Sequence, residues 1–326
     1  MSMPEAASVP LKGPLPNITR IIGWSILFIM FAFLANNFLT YWGGLPGPAF
    51  ASPLSLVQLA LYPLAIVVAL LWVSRRPNIT LRDDSLRISN MNSFLIRACF
   101  FAVLYVGIVD MVISFLRVEA LLGPLVGDEM RINLGRPQFR GVYVHYPLIV
   151  LGIFSAMRSR VLGVEWLALM VVVAELAIVF SRFIFSYEQS FMADLVRYWY
   201  GALFLFASAY TLLEEGHVRV DIFYAGFRDK AKGRINAFGS IFMGITLCWT
   251  ILIIGMGSKS SIINSPLLNF EVTQSGFGMY VKYMMAGFLG LFAISMMIQF
   301  VSYFMTAIAD YRGDPGKKTP TGAGAA

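Results

Sequence analysis

The sequence predicts an all-α polytopic membrane protein of about eight transmembrane helices, with both termini cytosolic and an amphipathic interfacial helix on the inner leaflet. Three observations carry this prediction. Hydrophobic residues make up 58% of the chain and charged residues 13%, about half the charged share of an ordinary soluble domain. The apolar residues collect into runs close to the ~20 residues that cross a ~30 Å hydrocarbon core. The basic residues of the connections fall mainly in alternate loops, as cytosolic segments beside anionic lipid should. That placement accounts for the net charge of +7 without nucleic acid as a partner.

Residues 1–19 are polar and Pro-rich and predict a disordered N-terminus. The first apolar run covers 21–39. Ala49-Phe50-Ala51 has the look of a signal-peptidase site. The run is longer than the ~7–15 residues of a leader's apolar core, which argues for a retained helix. A turn at 43–48 leads to the second segment, 54–73, and then to a polar loop, 74–93, holding Arg75, Arg76, Arg82 and Arg87. The third segment is 94–116. A mixed loop follows from Arg117 to Arg140, and its greasy stretch 121–126 suits an interface.

Segment 142–157 is marginally short for a span at ~1.5 Å per residue, and it decides between seven helices and eight. With eight, the cations left on the outer side are Arg131, Arg136, Arg140 and Lys259. With seven, the early arginines move outside and the bias weakens, so the positive-inside rule favours eight. The remaining segments are 162–185, 191–213, 235–256 and 280–308. Before the seventh, Tyr224, Phe227, Ala231, Ile235 and Phe238 recur at helical spacing among basic residues, which reads as a collar on the inner leaflet. The tail, 313–326, is Gly-, Pro- and Lys-rich and predicts a flexible end.

Charges inside apolar segments are the functional candidates. Glu175 lies mid-segment. Reflecting the chain about a hairpin tip near Glu188 sets Arg182 opposite Asp194 and brings Glu175 within a turn of Arg197, a ladder that would lock two helices together. The competing geometry lays 188–198 flat in the interface. Asp110 has Arg117, Arg182 or Arg197 within range of choice. Asn36, Asn37 and Gln299 suit interhelical hydrogen bonds, and His145 reads as a satisfied interfacial histidine. Cys99 and Cys248 sit in apolar segments and indicate neither a disulfide nor a metal site. No phosphate-cradling loop, HExxH or nucleophile elbow is present, so neither catalysis nor a cofactor is expected.

The stretch from Arg182 to Asp221 is the most patterned. A polar break at 186–190 precedes an amphipathic opening with Asp194 and Arg197. Tyr198-Trp199-Tyr200 then leads into an uncharged run to Leu213. Glu214-Glu215-Gly216 ends the run, and His217-Val218-Arg219-Val220-Asp221 sets His217, Arg219 and Asp221 on one side of an extended piece. Gly216 permits the exit turn, and Asp221 can cap the next helix.

This succession resembles the small (Q, DctQ-like) membrane subunit of tripartite ATP-independent periplasmic (TRAP) transporters, over roughly residues 162–312. The resemblance divides the chain into an N-terminal extension of about four membrane segments (20–160), a DctQ-like four-helix unit (161–312) and the tail. It implies a multi-pass protein of the bacterial inner membrane. Its implied partners are a large (M) membrane subunit carrying the sodium and substrate sites, a periplasmic substrate-binding (P) protein, and the lipid bilayer. The cargo would be a small, carboxylate-type solute taken up by ion symport. Glu175, Arg182, Asp194, Arg197, Trp199, His217, Arg219, Asp221 and Asp110 are then candidate structural or partner contacts. Pro266, Leu267, Asn269 and Glu271, in the longest polar connection of that half, are candidates for docking the binding protein. The competing class is a membrane enzyme or redox-complex subunit with a proton path through Glu175 and Asp110.

Overall fold

The computed structural model describes residues 13–160, 164–213, 224, 226–273 and 278–316. Its regular elements are all helices. They are α1 (Leu15–Tyr41), α2 (Pro53–Ser74), α3 (Leu81–Val118), α4 (Leu122–Val126), α5 (Asp128–Leu134), α6 (Pro137–Arg158), α7 (Val164–Ile184), α8 (Ser190–Leu213), α9 (Asp229–Met256), α10 (Asn264–Asn269) and α11 (Lys282–Arg312). Seven of them, α1, α2, α3, α6, α7, α9 and α11, are long and apolar enough to cross a membrane. The protein is therefore an all-α polytopic membrane protein. Segment 142–157, the doubtful one by length, belongs to α6 and is among the seven. Helix α8 is long enough at 24 residues but falls outside them, because Asp194, Arg197 and the Tyr-Trp-Tyr cluster dilute its apolar run.

Two compact units share the chain: Met1–Asn92, Thr211–Thr250 and Met296–Ala326 form one, and Ser93–Tyr210 and Ile251–Ser295 the other. In the first, α1 and α2 form a hairpin closed by Gln58. Its carbonyl accepts from Asn36 Nδ2 at 2.9 Å, its Oε1 accepts from the Gly47 amide at 3.0 Å, and its Nε2 donates to Thr40 at 3.2 Å. Asn36 thus makes the kind of interhelical bond expected of it. Arg20 and Asp84 are wholly buried, with Nε and Oδ2 2.7 Å apart, and Trp24 Nε1 donates to the same oxygen at 3.1 Å. A second arm of Arg20 reaches the Arg76 carbonyl at 3.0 Å.

The expected polar loop 74–93 is only partly a loop. Helix α3 begins at Leu81 and runs 38 residues, about 57 Å at 1.5 Å per residue, well beyond a ~30 Å core. Its start is a reciprocal cap: the Thr80 amide donates to Asp83 Oδ2 at 3.0 Å and the Asp83 amide to Thr80 Oγ1 at 3.1 Å. Several polar residues of this stretch, Ser85, Ser89 and Asn92 among them, lie on a buried helical stripe. Ser85 and Ser89 each share a hydrogen bond with Ser302 of α11, at 2.8 and 2.7 Å, and Gln299 donates to Ser89 at 3.3 Å while accepting from Asn92 at 3.3 Å. Hydroxyls and amides here face a helix rather than water, which is how membrane helices use them. Arg82 Nη2 meets Asp310 at 2.8 Å, and Arg82 also takes the carbonyls of Asp314 and Pro315, fastening the described part of the tail. The amphipathic stretch expected ahead of the seventh segment is helical from Asp229 and continues through a π turn at Ser240–Ile245 into the span without a break.

In the second compact unit, α3 and α6 approach backbone to backbone. A Cβ on Gly152 would lie 2.6 Å from the Ala102 amide nitrogen, so only glycine permits the contact. Helix α6 contains a π turn at Gly141–His145. Helices α7 and α8 are joined by 185–189, where Ser186 takes a left-handed φ of +49°. Tyr187 and Gln189 both donate to Glu119, just beyond α3.

Candidate functional site

The predicted charge ladder across α7 and α8 does not form. Arg182 turns to Glu188, Nε to Oε2 at 3.5 Å, and Arg197 to Asp194 one turn earlier on its own helix, at 3.8 Å. Asp194 has a better use. Its Oδ2 accepts from the buried Met279 amide at 3.1 Å and from Thr273 Oγ1 at 3.3 Å. A buried N–H ahead of α11 needs an acceptor, and this requirement draws Asp194 away from Arg182. Helix α8 runs unbroken from Ser190, so 188–198 is not a separate arm. Glu175 stays exposed on α7 and has no ion pair among the described residues. Trp199, in contrast, is buried against Gly107 of α3, where any Cβ would meet the indole nitrogen at 2.3 Å.

Asp110 finds none of the three arginines proposed for it. It is fully buried, and its Oδ1 accepts from Arg140 Nη1 at 2.9 Å and lies 3.0 Å from His145 Nε2. Its Oδ2 accepts from the Tyr280 amide at 2.8 Å. Arg140 also reaches Ser114 and the Leu134 carbonyl, and its guanidinium lies 4.0 Å over the Tyr280 ring. His145 Nδ1 shares a 2.8 Å hydrogen bond with the Tyr283 hydroxyl. Arg140, expected in an exposed loop, and His145, expected at an interface, are thus the central partners of a buried hub. Arg140 and His145 are five residues apart at the π turn, and the wider i to i+5 winding brings them to one face. Their spacing beside a Tyr-Pro step was the only hint in the sequence.

The proposed docking residues form a packed turn. Pro266 and Leu267 are half-buried in α10, and Asn269 is exposed. Phe270 ends the helix with a left-handed φ of +48°. Glu271 pairs with Lys282 at 2.5 Å, and its carbonyl accepts from the Tyr283 amide at 3.0 Å. His217, Arg219 and Asp221 lie outside the described residues.

Residues 169–309 match the family of tripartite ATP-independent periplasmic transporters, DctQ component. This part of the chain is similar to the DctQ component of those transporters. No curated protein and no solved structure matches the chain. The DctQ segment opens within α7 and closes within α11, leaving α1 to α6 as an N-terminal addition. The Asp110 hub therefore joins the two parts chemically. Asp110, Arg140 and His145 belong to the addition, while Tyr280 and Tyr283 belong to the DctQ segment. Glu175, Asp194, Arg197 and Trp199 all fall within the DctQ segment. Among the described residues, no three His, Cys, Asp or Glu side chains gather as metal ligands would.

Proposed function

We propose that this chain is the small permease subunit of a TRAP-type secondary transporter of the bacterial inner membrane. It braces a large membrane subunit and helps dock a periplasmic substrate-binding protein during ion-driven uptake. One observation supports this most directly. Helix α7 is among the most apolar of the chain, yet 11% of its most apolar window is buried within the chain, against 39% for α1, α3 and α11. Val172, Glu175 and Val179 recur at three- and four-residue spacing on one exposed face. A carboxylate in mid-span facing lipid costs a few kcal/mol or more and calls for a donor. A second membrane chain packed on this face supplies both the apolar cover and the donor.

The DctQ match supports the large subunit and the binding protein as partners. Sodium as coupling ion and a small carboxylate as cargo follow from family resemblance. Asn269, exposed at the end of α10, is the docking residue that tolerates change, because Glu271 holds the start of α11. Co-expression with the large subunit tests the reading. Tagged chain should carry the large subunit through purification, and uptake in vesicles should require both together with the binding protein. Uptake by this chain reconstituted alone would overturn it.

A further inference from the structure

A crevice of about 400 Å³ lies between α3, α7 and α8. Its walls are apolar throughout: Ile108 to Phe115 on α3, Met170 to Ala177 on α7, and Phe191 to Trp199 on α8. We propose that it binds one acyl chain of a phospholipid. The volume lies within the ~300–1,000 Å³ of small-molecule sites, but no polar side chain converges on it, so the occupant is hydrocarbon with nothing to hydrogen-bond.

The direction of the crevice identifies that hydrocarbon. Met170 to Ala177 spans seven residues, about 10 Å along the helix axis, and the lining advances in step on all three helices. One end, at Phe115, Ala177 and Phe191, borders the polar group of Glu119, Tyr187 and Gln189. The other end is closed by Trp199, which is 4% exposed. A slot that starts at a polar belt and runs parallel to membrane helices has the orientation of a lipid tail. Ile108, Val112 and Val173 line it yet remain 39–48% exposed, so it opens sideways into the surrounding medium, which for spanning helices is lipid. Met111, Met170 and Met192 supply unbranched, adaptable walls suited to a flexible chain. The crevice faces away from Glu175, since Met170, Val173, Ala174 and Ala177 occupy the opposite side of α7. The proposed partner surface therefore does not compete for it.

Bromine on the acyl chains of a phospholipid quenches tryptophan only by contact, and Trp199 is otherwise shielded. The full chain and its Trp199→Phe variant are reconstituted in vesicles of phosphatidylcholine, brominated or plain, and the Trp199 contribution is taken by difference. At least a twofold loss of Trp199 emission in brominated vesicles is expected. That loss should disappear in Ala174→Phe and in Ala177→Leu, which fill the slot from α7. Should either variant fold poorly, native mass spectrometry of the unaltered chain provides a second reading, with one phospholipid retained after the others are stripped. Unquenched Trp199, quenching that survives both fillings, or no retained lipid overturns the proposal. Quenching that persists when the large subunit is co-reconstituted supports it. Quenching abolished by that subunit assigns the slot to partner side chains and overturns it.

Discussion

Asp110 and Glu175 are each a single carboxylate within an apolar helix, and by sequence they pose the same problem. The structure answers it in two ways. Asp110 accepts from an arginine and a backbone amide and lies within bonding distance of His145, all inside the chain. Glu175 remains on the surface of the least buried of the seven long apolar helices. A membrane carboxylate must be neutralised somewhere. Where the chain does it internally, the charge serves folding; where it does not, the proposed partner surface supplies the donor.

That contrast can be broken by experiment. Asp110→Asn strands the buried Arg140 and should cost about 3–5 kcal/mol, read as a fall in thermal stability in detergent. Asp110→Leu with Arg140→Met should recover most of it, since replacing both charges by apolar groups is far cheaper than removing one. A double variant no better than the single would show that the hub is not a charge pair. Gly152→Leu forces α6 off α3 and should cost about 1–3 kcal/mol by overpacking; an unchanged melting profile would mean the two helices do not meet there. Glu175→Gln should leave the isolated chain within about 0.5 kcal/mol of the parent while lowering recovery of the large subunit several-fold. Equal loss of stability and assembly would erase the distinction between the two carboxylates.

The smallest effect concerns the hairpin. The hydrogen bond to Glu119 raises the Tyr187 phenol to about 12, because losing its proton would set two anions side by side. The folded state thus favours protonated Tyr187. This contribution is fully present below the ordinary phenol range near 10 and is lost as pH rises through about 12. In ultraviolet titration, Glu119→Gln should return one tyrosine from late titration to the ordinary range.

Much of the fold was legible from local properties. The apolar runs located all seven of the long apolar helices and added 191–213, which is too dilute to join them. The succession from Arg182 through Tyr198-Trp199-Tyr200 to His217-Val218-Arg219-Val220-Asp221 pointed to DctQ. What failed failed for a shared reason. The stretch from Arg82 to Asn92 read as a loop because its polar residues suggest water, yet several bond to α11, more than two hundred residues on. The Arg182–Asp194 ladder assumed that charges pair across the nearest hairpin. Instead Asp194 serves an amide 85 positions away.

By itself, then, the sequence determined the class of the protein, seven of the eight helices expected to span and the DctQ likeness of residues 169–309, because hydrophobic run length and short motifs are properties of adjacent residues. Only the tertiary structure decided which charge answers which. Arg20 with Asp84, at a separation of 64, and Asp110 with Tyr280, at 170, are brought together by helix packing. In a medium where an unpaired charge is costly, that packing separates the carboxylate that holds the fold from the one left facing outward.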